Sequence, residues 1–386
     1  MTDETTFNEK FLRGGPGGQF FQKAPSLAAG GKVLMKNKKI NIKQIFIILF
    51  LGIPLAIFSI EVNKDLEIPF DYDVSPFLVA DNICVLDGFS LKIYNDAKTF
   101  RTIQFHKGEG PGEFLVVQKI YSRGKYGYIW DRLLFRMSVF SGDWKLDRMI
   151  KFPSLRRFAG FLGVVENQYL FRWGTTERSP ARMQLTEHVG IVDEKQMKAL
   201  INIPAGEWRK QEYLNFDRPI PIVVLSSNFI YYGTNREYRI DKIRITGSKT
   251  EHIQTIQRQV QPIKLTDDLK QLKYGVLSQS TQSPPPKEKY PSFVPPLVDI
   301  AADNDLLVVV TNEKIHFRKA KVDVFKNGKY IGCIEIPLIY SQYFIFPFSW
   351  PHYFPTGTYL QGNRLYTYHY DEGEERYKII RHTLIF

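Results

Sequence analysis

Metal and acid-base chemistry have recognisable residue spacings, and the histidines of this chain lack them. His106, His188, His252, His316, His352, His369 and His382 stand singly, without the HExxH or HxH intervals that bring two ligands together. Cys84 and Cys333 are too few and too far apart for a zinc cluster or a disulfide framework, and both read as buried free thiols on separate strands. The acidic pairs Asp71/Asp73 and Asp267/Asp268 fall in turn-like or helix-start sequence, and neither a GxSxG elbow nor an aspartate-rich calcium loop is present. No catalytic residue, metal ligand or cofactor is assigned. What remains is binding chemistry: Arg132, Arg172, Trp173, Arg178, Arg236, Trp350 and His352 lie near strand ends, expected at the mouth of a central channel, where guanidinium forks and aromatic faces suit an anionic or carbohydrate-like ligand or a protein loop.

The elements that must hold such residues are short strands. Tyr126, Tyr128 and Trp130 alternate along one strand and Phe135, Met137 and Val139 along the next; a Ser141-Gly142-Asp143 turn leads to a third strand that ends at Phe152-Pro153. Weaker copies recur. LINIP (200–204) and CIEIP (333–337) repeat the strand that stops at proline, and KIYND (92–96), GIVDEK (190–195) and DVFKNGK (323–329) repeat the strand and turn before it. The copies mark six units, at 73–105, 115–153, 158–204, 218–258, 297–337 and 353–386. The last lacks an outer strand, and DLEIP (65–69) has the missing form. An N-terminal strand that completes the final unit closes the ring, which makes the fold an all-β six-bladed β-propeller. Residues 259–296, with the helix-like TDDLKQLKYG and the proline-rich SPPPKEKYPSFVPP, read as an insertion between the fourth and fifth blades.

Composition agrees with strands and turns: aromatic residues are 14% and hydrophobic residues 44% of 386, with 27 Gly and 22 Pro. The net charge of +12 is uneven, since the first 44 residues carry eight Lys/Arg against three Asp/Glu, or +5, and leave +7 for the rest. With no basic block after the apolar segment, nucleic acid is not an expected partner. Residues 1–34 are polar and glycine-rich, a tail with no face to pack. In 35–61, Lys36, Lys38, Lys39 and Lys43 precede an uncharged run from Ile45 to Ile60, the form of an export signal or a membrane anchor. No A-x-A site follows, and Ile57-Phe58-Ser59 is a weak one, so an uncleaved anchor is expected, with lysines cytoplasmic and the remainder outside. Met35 would itself serve as a start.

Between the first two units lies HKGEGPGEF, His106 to Phe114. It resembles the GxGPGEF motif of the exported bacterial six-bladed β-propeller proteins, themselves similar to NHL-repeat propellers. In those proteins a blade with the pattern Asp-x4-Arg-Ile-x-Val-Phe follows, and Asp131, Arg136, Met137, Val139 and Phe140 occupy those places here. The resemblance spans residues 62–386 and implies fold and export more than chemistry. Physically, Gly108, Gly110 and Gly112 permit a tight crossing with positive φ, Pro111 stiffens it, Glu113 can accept backbone hydrogen bonds, and Phe114 can plug the groove between blades. The resulting expectation is a monomeric, membrane-anchored, extracytoplasmic propeller that binds a ligand or protein without catalysis. The alternative is an NHL-like lyase or lactone hydrolase with a metal in its central channel.

Overall fold

The computed structural model describes residues 60–70, 75–79, 82–95, 98–152, 160–178, 182–209, 219–267, 292–316, 319–337, 358–371, 374 and 376–386. The polar tail, the apolar segment up to residue 59, the proline-rich run of the insertion, Trp350 and His352 lie outside them, as does the helix-like stretch beyond Asp267. Among the described residues no helix is long and apolar enough to cross a membrane.

Six antiparallel four-stranded sheets make up a six-bladed β-propeller. Blade 1 spans 75–104, blade 2 117–151, blade 3 160–209, blade 4 221–257 and blade 5 297–337; blade 6 combines 358–385 with the strand Glu61–Phe70. That strand pairs antiparallel with Arg376–Ile385, from Glu61 opposite Ile385 to Phe70 opposite Tyr377. From blade 1 to blade 6 the inner strand of each blade lies beside that of the next.

The strands form where the sequence alternates or runs apolar between turn residues, and they bury both faces because each blade is sandwiched between two others. Six apolar clusters fill the six joints. Leu91, Ile129 and Phe140 join blades 1 and 2; Trp130, Met137, Phe161 and Phe171 join 2 and 3; Leu170, Ile230 and Ile245 join 3 and 4. Tyr231, Ile240 and Val309 join 4 and 5, Val308, Val322 and Leu384 join 5 and 6, and Ile83, Val85, Tyr366 and Ile379 join 6 back to 1. Trp130 is fully buried and meets Phe171 edge-on at 4.9 Å. Truncating an aromatic so placed typically costs about 3–5 kcal/mol.

The two faces of the ring differ. One carries short hairpin turns stitched from blade to blade: Gly247 N donates to Glu166 Oε2 (2.8 Å), Asn304 N to Ser226 Oγ (2.8 Å) and Gly362 N to Asp303 Oδ2 (2.5 Å). The other, the crossing face, is where the outer strands end and the inner strands begin, and it carries the link 105–116 and the turn 132–135. The chain enters at Glu61 and leaves at Phe386 on the short-turn face.

Two sequence expectations change here. Cys84 is buried, but Cys333 is exposed, because it lies on the outermost strand of blade 5, whose alternate residues face solvent. Pro204 does not stop its strand: Met197–Arg209 runs through it, opposite Thr186 at a register shift, which an outer strand tolerates because its free edge needs no amide.

Candidate functional site

The crossing face is built around a buried carboxylate. Asp131 ends the second strand of blade 2 and is fully buried. Its Oδ2 accepts the amides of Leu115 (2.6 Å) and Val116 (3.3 Å) from the incoming crossing, and Oδ1 accepts those of Leu133 (3.0 Å) and Leu134 (3.1 Å) from the outgoing turn. One side chain therefore fixes two loops against each other. Arg132 N donates to Val116 O at 3.2 Å and completes the clamp. Beside it Val116 and Leu133 are exposed by 40% and 56%, while Arg132 is half-buried, which pulls its guanidinium pKa down by desolvation.

Blade 4 repeats the arrangement with an amide. Asn235 is buried at the same end of the second strand; Ile220 N donates to its Oδ1 (2.7 Å) and Asn235 N to Ile220 O (3.0 Å). The following residue is again an arginine, the exposed Arg236. Two blades thus present an Asx-clamped turn followed by arginine.

The crossing before Asp131 is self-braced. Glu113 Oε2 accepts Gly110 N at 2.7 Å, Glu113 N donates to Gly110 O at 3.1 Å, and Gly108 N donates to Phe114 O at 3.1 Å. Arg136 reaches over from blade 2 and donates to the carbonyls of Glu109 (2.7 Å) and Glu113 (2.5 Å). Phe114 is fully buried between blades 1 and 2, edge-on to Phe105 at 5.2 Å. Of the three motif glycines only Gly112 adopts positive φ (77°). Gly108 and Gly110 are small for a different reason: a Cβ there would come within 2.1 Å and 2.8 Å of Glu113 Oε2. Pro111 sits in the turn between Gly110 and Gly112.

The other residues singled out from the sequence scatter. Arg172 is buried and ion-paired to Glu187, with a second donation to Pro221 O (2.9 Å) that ties blade 3 to blade 4. Trp173 is buried, its ring stacked on His188 at 5.5 Å; His188 Nε2 meets Thr175 Oγ1 (2.6 Å) and Nδ1 meets Asn202 Oδ1 (2.7 Å). Both side chains are taken up by packing within and between blades, because they lie in the middle of a long strand with a further strand on its outer side. Arg178 ends that strand on the crossing face. Arg132 and Arg236 are the two that turns hold there.

Two charged residues escaped the sequence reading. Lys119 and Asp299 lie on the inner strands of blades 2 and 5, in the runs VQKIYSR and LVDIAA; of the two, only Asp299 stands out in sequence, as a charge within an apolar run. Lys119 is exposed, and desolvation by the protein around its ammonium pulls its pKa down to about 8. Asp299 is 2% exposed, and burial pushes its carboxyl up to about 7. Among the described residues, no group of three or more His, Cys, Asp or Glu side chains is arranged to hold a metal ion.

No family model and no curated protein matches the chain. Among solved structures, a DUF4221-family member from Bacteroides vulgatus is similar at 11% identity and a TM-score of 0.45, over 85% of this chain and 99% of that one. Virginiamycin B lyase from Staphylococcus aureus is similar at 10% identity and a TM-score of 0.40, over 85% of this chain and all (100%) of that one.

Proposed function

We propose that this protein is an exported, membrane-anchored six-bladed propeller, closed by its N-terminal strand, that serves as a non-catalytic binding or scaffold module through its crossing face. The observation that carries the reading is the Asp131 clamp: four backbone amides converge on one buried carboxylate and hold Val116, Arg132 and Leu133 together at the surface. A rigid, partly apolar platform with a desolvated guanidinium suits a protein segment that offers apolar and acidic side chains, because little ordering entropy is lost on the receptor side. Arg236 extends the positive character to blade 4. The chain enters the propeller at Glu61 on the short-turn face, at the opposite end of the strands from the crossing face.

Export and anchoring rest on the lysine-flanked apolar run before Ile60. Cell fractionation with protease added outside the cytoplasmic membrane tests them: full-length chain in the membrane pellet, with the propeller shielded or digested only from the outer side, is the expected result. Chain in the cytosolic fraction would refute the anchor. The binding role is tested by a photoreactive residue at Leu133, with Met149 and Ile253 on outer strands as controls. A discrete adduct from Leu133 and none from the controls is expected; equal labelling at all three removes the crossing face as the site.

A further inference from the structure

Lys119 and Asp299 hold the same position in two blades. Counting pairs up from the hairpin turn of blade 2 gives Arg123–Tyr126, Ser122–Gly127, Tyr121–Tyr128, Ile120–Ile129 and then Lys119–Trp130. In blade 5 the series is Asp303–Leu306, Ala302–Leu307, Ala301–Val308, Ile300–Val309 and then Asp299–Val310. Directly beyond each charged residue the register slips by one, at Gln118 and at Val298. A bulge at the rim of a radial sheet re-aims the neighbouring side chain. The fifth pairs of blades 3 and 4 are Gly160–Arg172 and Ile222–Gly233, so neither inner strand carries a charge at that level.

The joints place these two residues on opposite walls. Clusters link blades 2 to 3, 3 to 4 and 4 to 5 on one side, and 5 to 6, 6 to 1 and 1 to 2 on the other. Each side chain also leans on the inner strand of the next blade. Lys119 Nζ donates to Leu162 O of blade 3 at 3.2 Å, and an ammonium has three donors. Asp299 Oδ1 accepts its neighbour Ile300 N at 2.8 Å, while Oδ2 lies toward Thr358 of blade 6 without a hydrogen bond of normal geometry. A buried carboxylate oxygen left in that state calls for a partner.

We propose that the central channel is a binding site for a small bipolar molecule, its carboxylate received by Lys119 and its ammonium by Asp299. Opposed charges set at one level of the ring select for charge separation in the ligand as much as for charge itself. The proposal adds a ligand class to the binding role above, but it does not need the crossing-face partner: Leu133 adducts and channel binding are read out separately.

The test uses the full-length protein in detergent and titrates it calorimetrically with glycine, β-alanine, γ-aminobutyrate, ε-aminocaproate, diglycine and triglycine, with butanoate and butylamine as single-charge controls. Affinity should peak at one chain length and exceed both controls by about tenfold or more, a difference of ~1.4 kcal/mol. Asp299→Asn, nearly isosteric, and Lys119→Met should each bring the best ligand down to the level of the controls, in protein whose circular dichroism is unchanged. Absence of saturable binding, butanoate binding as tightly as the amino acids, or indifference to Asp299→Asn would each overturn the proposal; the length series on unmutated protein decides it even where Lys119→Met does not fold.

Discussion

Glu113 Oε2 accepts the amide of Gly110 at 2.7 Å from a position that a Cβ on Gly108 would overlap. The relationship explains glycine at a residue whose backbone dihedrals do not demand it. Gly108→Ala is expected to push the carboxylate off its donor and cost ~1–3 kcal/mol, the worth of a hydrogen bond to a charged group plus the unpaired amide. Thermal unfolding of Gly108→Ala against Gly88→Ala checks the reason. The latter has positive φ (58°) but open space, so it should cost only the ~1 kcal/mol of left-handed strain. An order reversed between the two would refute the overlap.

Asp131→Asn replaces one of two acceptor oxygens with an amide nitrogen aimed at backbone donors. A loss of ~1–3 kcal/mol is expected. Hydrogen exchange should quicken at Leu115 and Val116, or at Leu133 and Leu134, while Ile129 in the same blade stays protected. Uniform quickening throughout blade 2 would mean that the carboxylate supports the blade and not the loops.

The buried Asp299 makes a prediction with a defined sign. Its carboxyl is raised from 3.8 to about 7 by burial beside Thr358 and Tyr359, so between those values the folded chain binds the proton more tightly than the unfolded chain. Its contribution therefore favours folding fully below about 4, declines as pH rises toward 7, and is flat above. Subtracting Asp299→Asn from the unmutated protein in urea denaturation at pH 5 and pH 7.5 isolates this contribution. The difference should move against the unmutated protein at the higher pH; no pH dependence of the difference would show the carboxyl to be ordinary.

Asp65 and the C-terminal strand make the account of closure testable. Burial opposes ionisation of Asp65, but hydrogen bonds from Arg381 Nε (3.0 Å) and Thr383 Oγ1 (2.9 Å) outweigh it and hold its pKa low. The same strand brings Leu66 and Ile68 into the joint of blades 6 and 1. Deleting residues 65–69 should therefore lower the melting temperature sharply or cause aggregation through the exposed strand edge. An unchanged melting temperature would show that the ring closes without this strand.

The blades were legible because their signal is local: alternation between turn residues in Tyr126–Phe152 is enough to identify one, and its echoes at 190–204 and 323–337 identify others. Turn types were legible for the same reason, as at Asn327-Gly328, where both residues take positive φ. The site was less so. Trp173 and Arg172 have the right chemistry, but whether a strand residue faces a neighbouring blade or a loop end depends on strand length, and the strand at 168–178 is longer than its counterparts in blades 1, 2, 4 and 6. Lys119 and Asp299 were missed because a one-residue bulge leaves no mark in composition, although it decides where the next side chain points. The roles of Gly108 and Gly110 came out differently because close approach to the nearby Glu113 side chain looks, in sequence, the same as a need for positive φ.

The central claim is that the crossing face binds through its clamped arginines. The direct measurement is the yield of the Leu133 photo-adduct in membranes from cells that make either the unmutated chain or the Arg132→Glu/Arg236→Glu variant, at equal protein level and equal melting temperature. The account predicts a discrete adduct that falls by about tenfold or more in the charge-reversed variant, as loss of steering and repulsion at an interface would produce. An adduct of equal yield from both chains would contradict it.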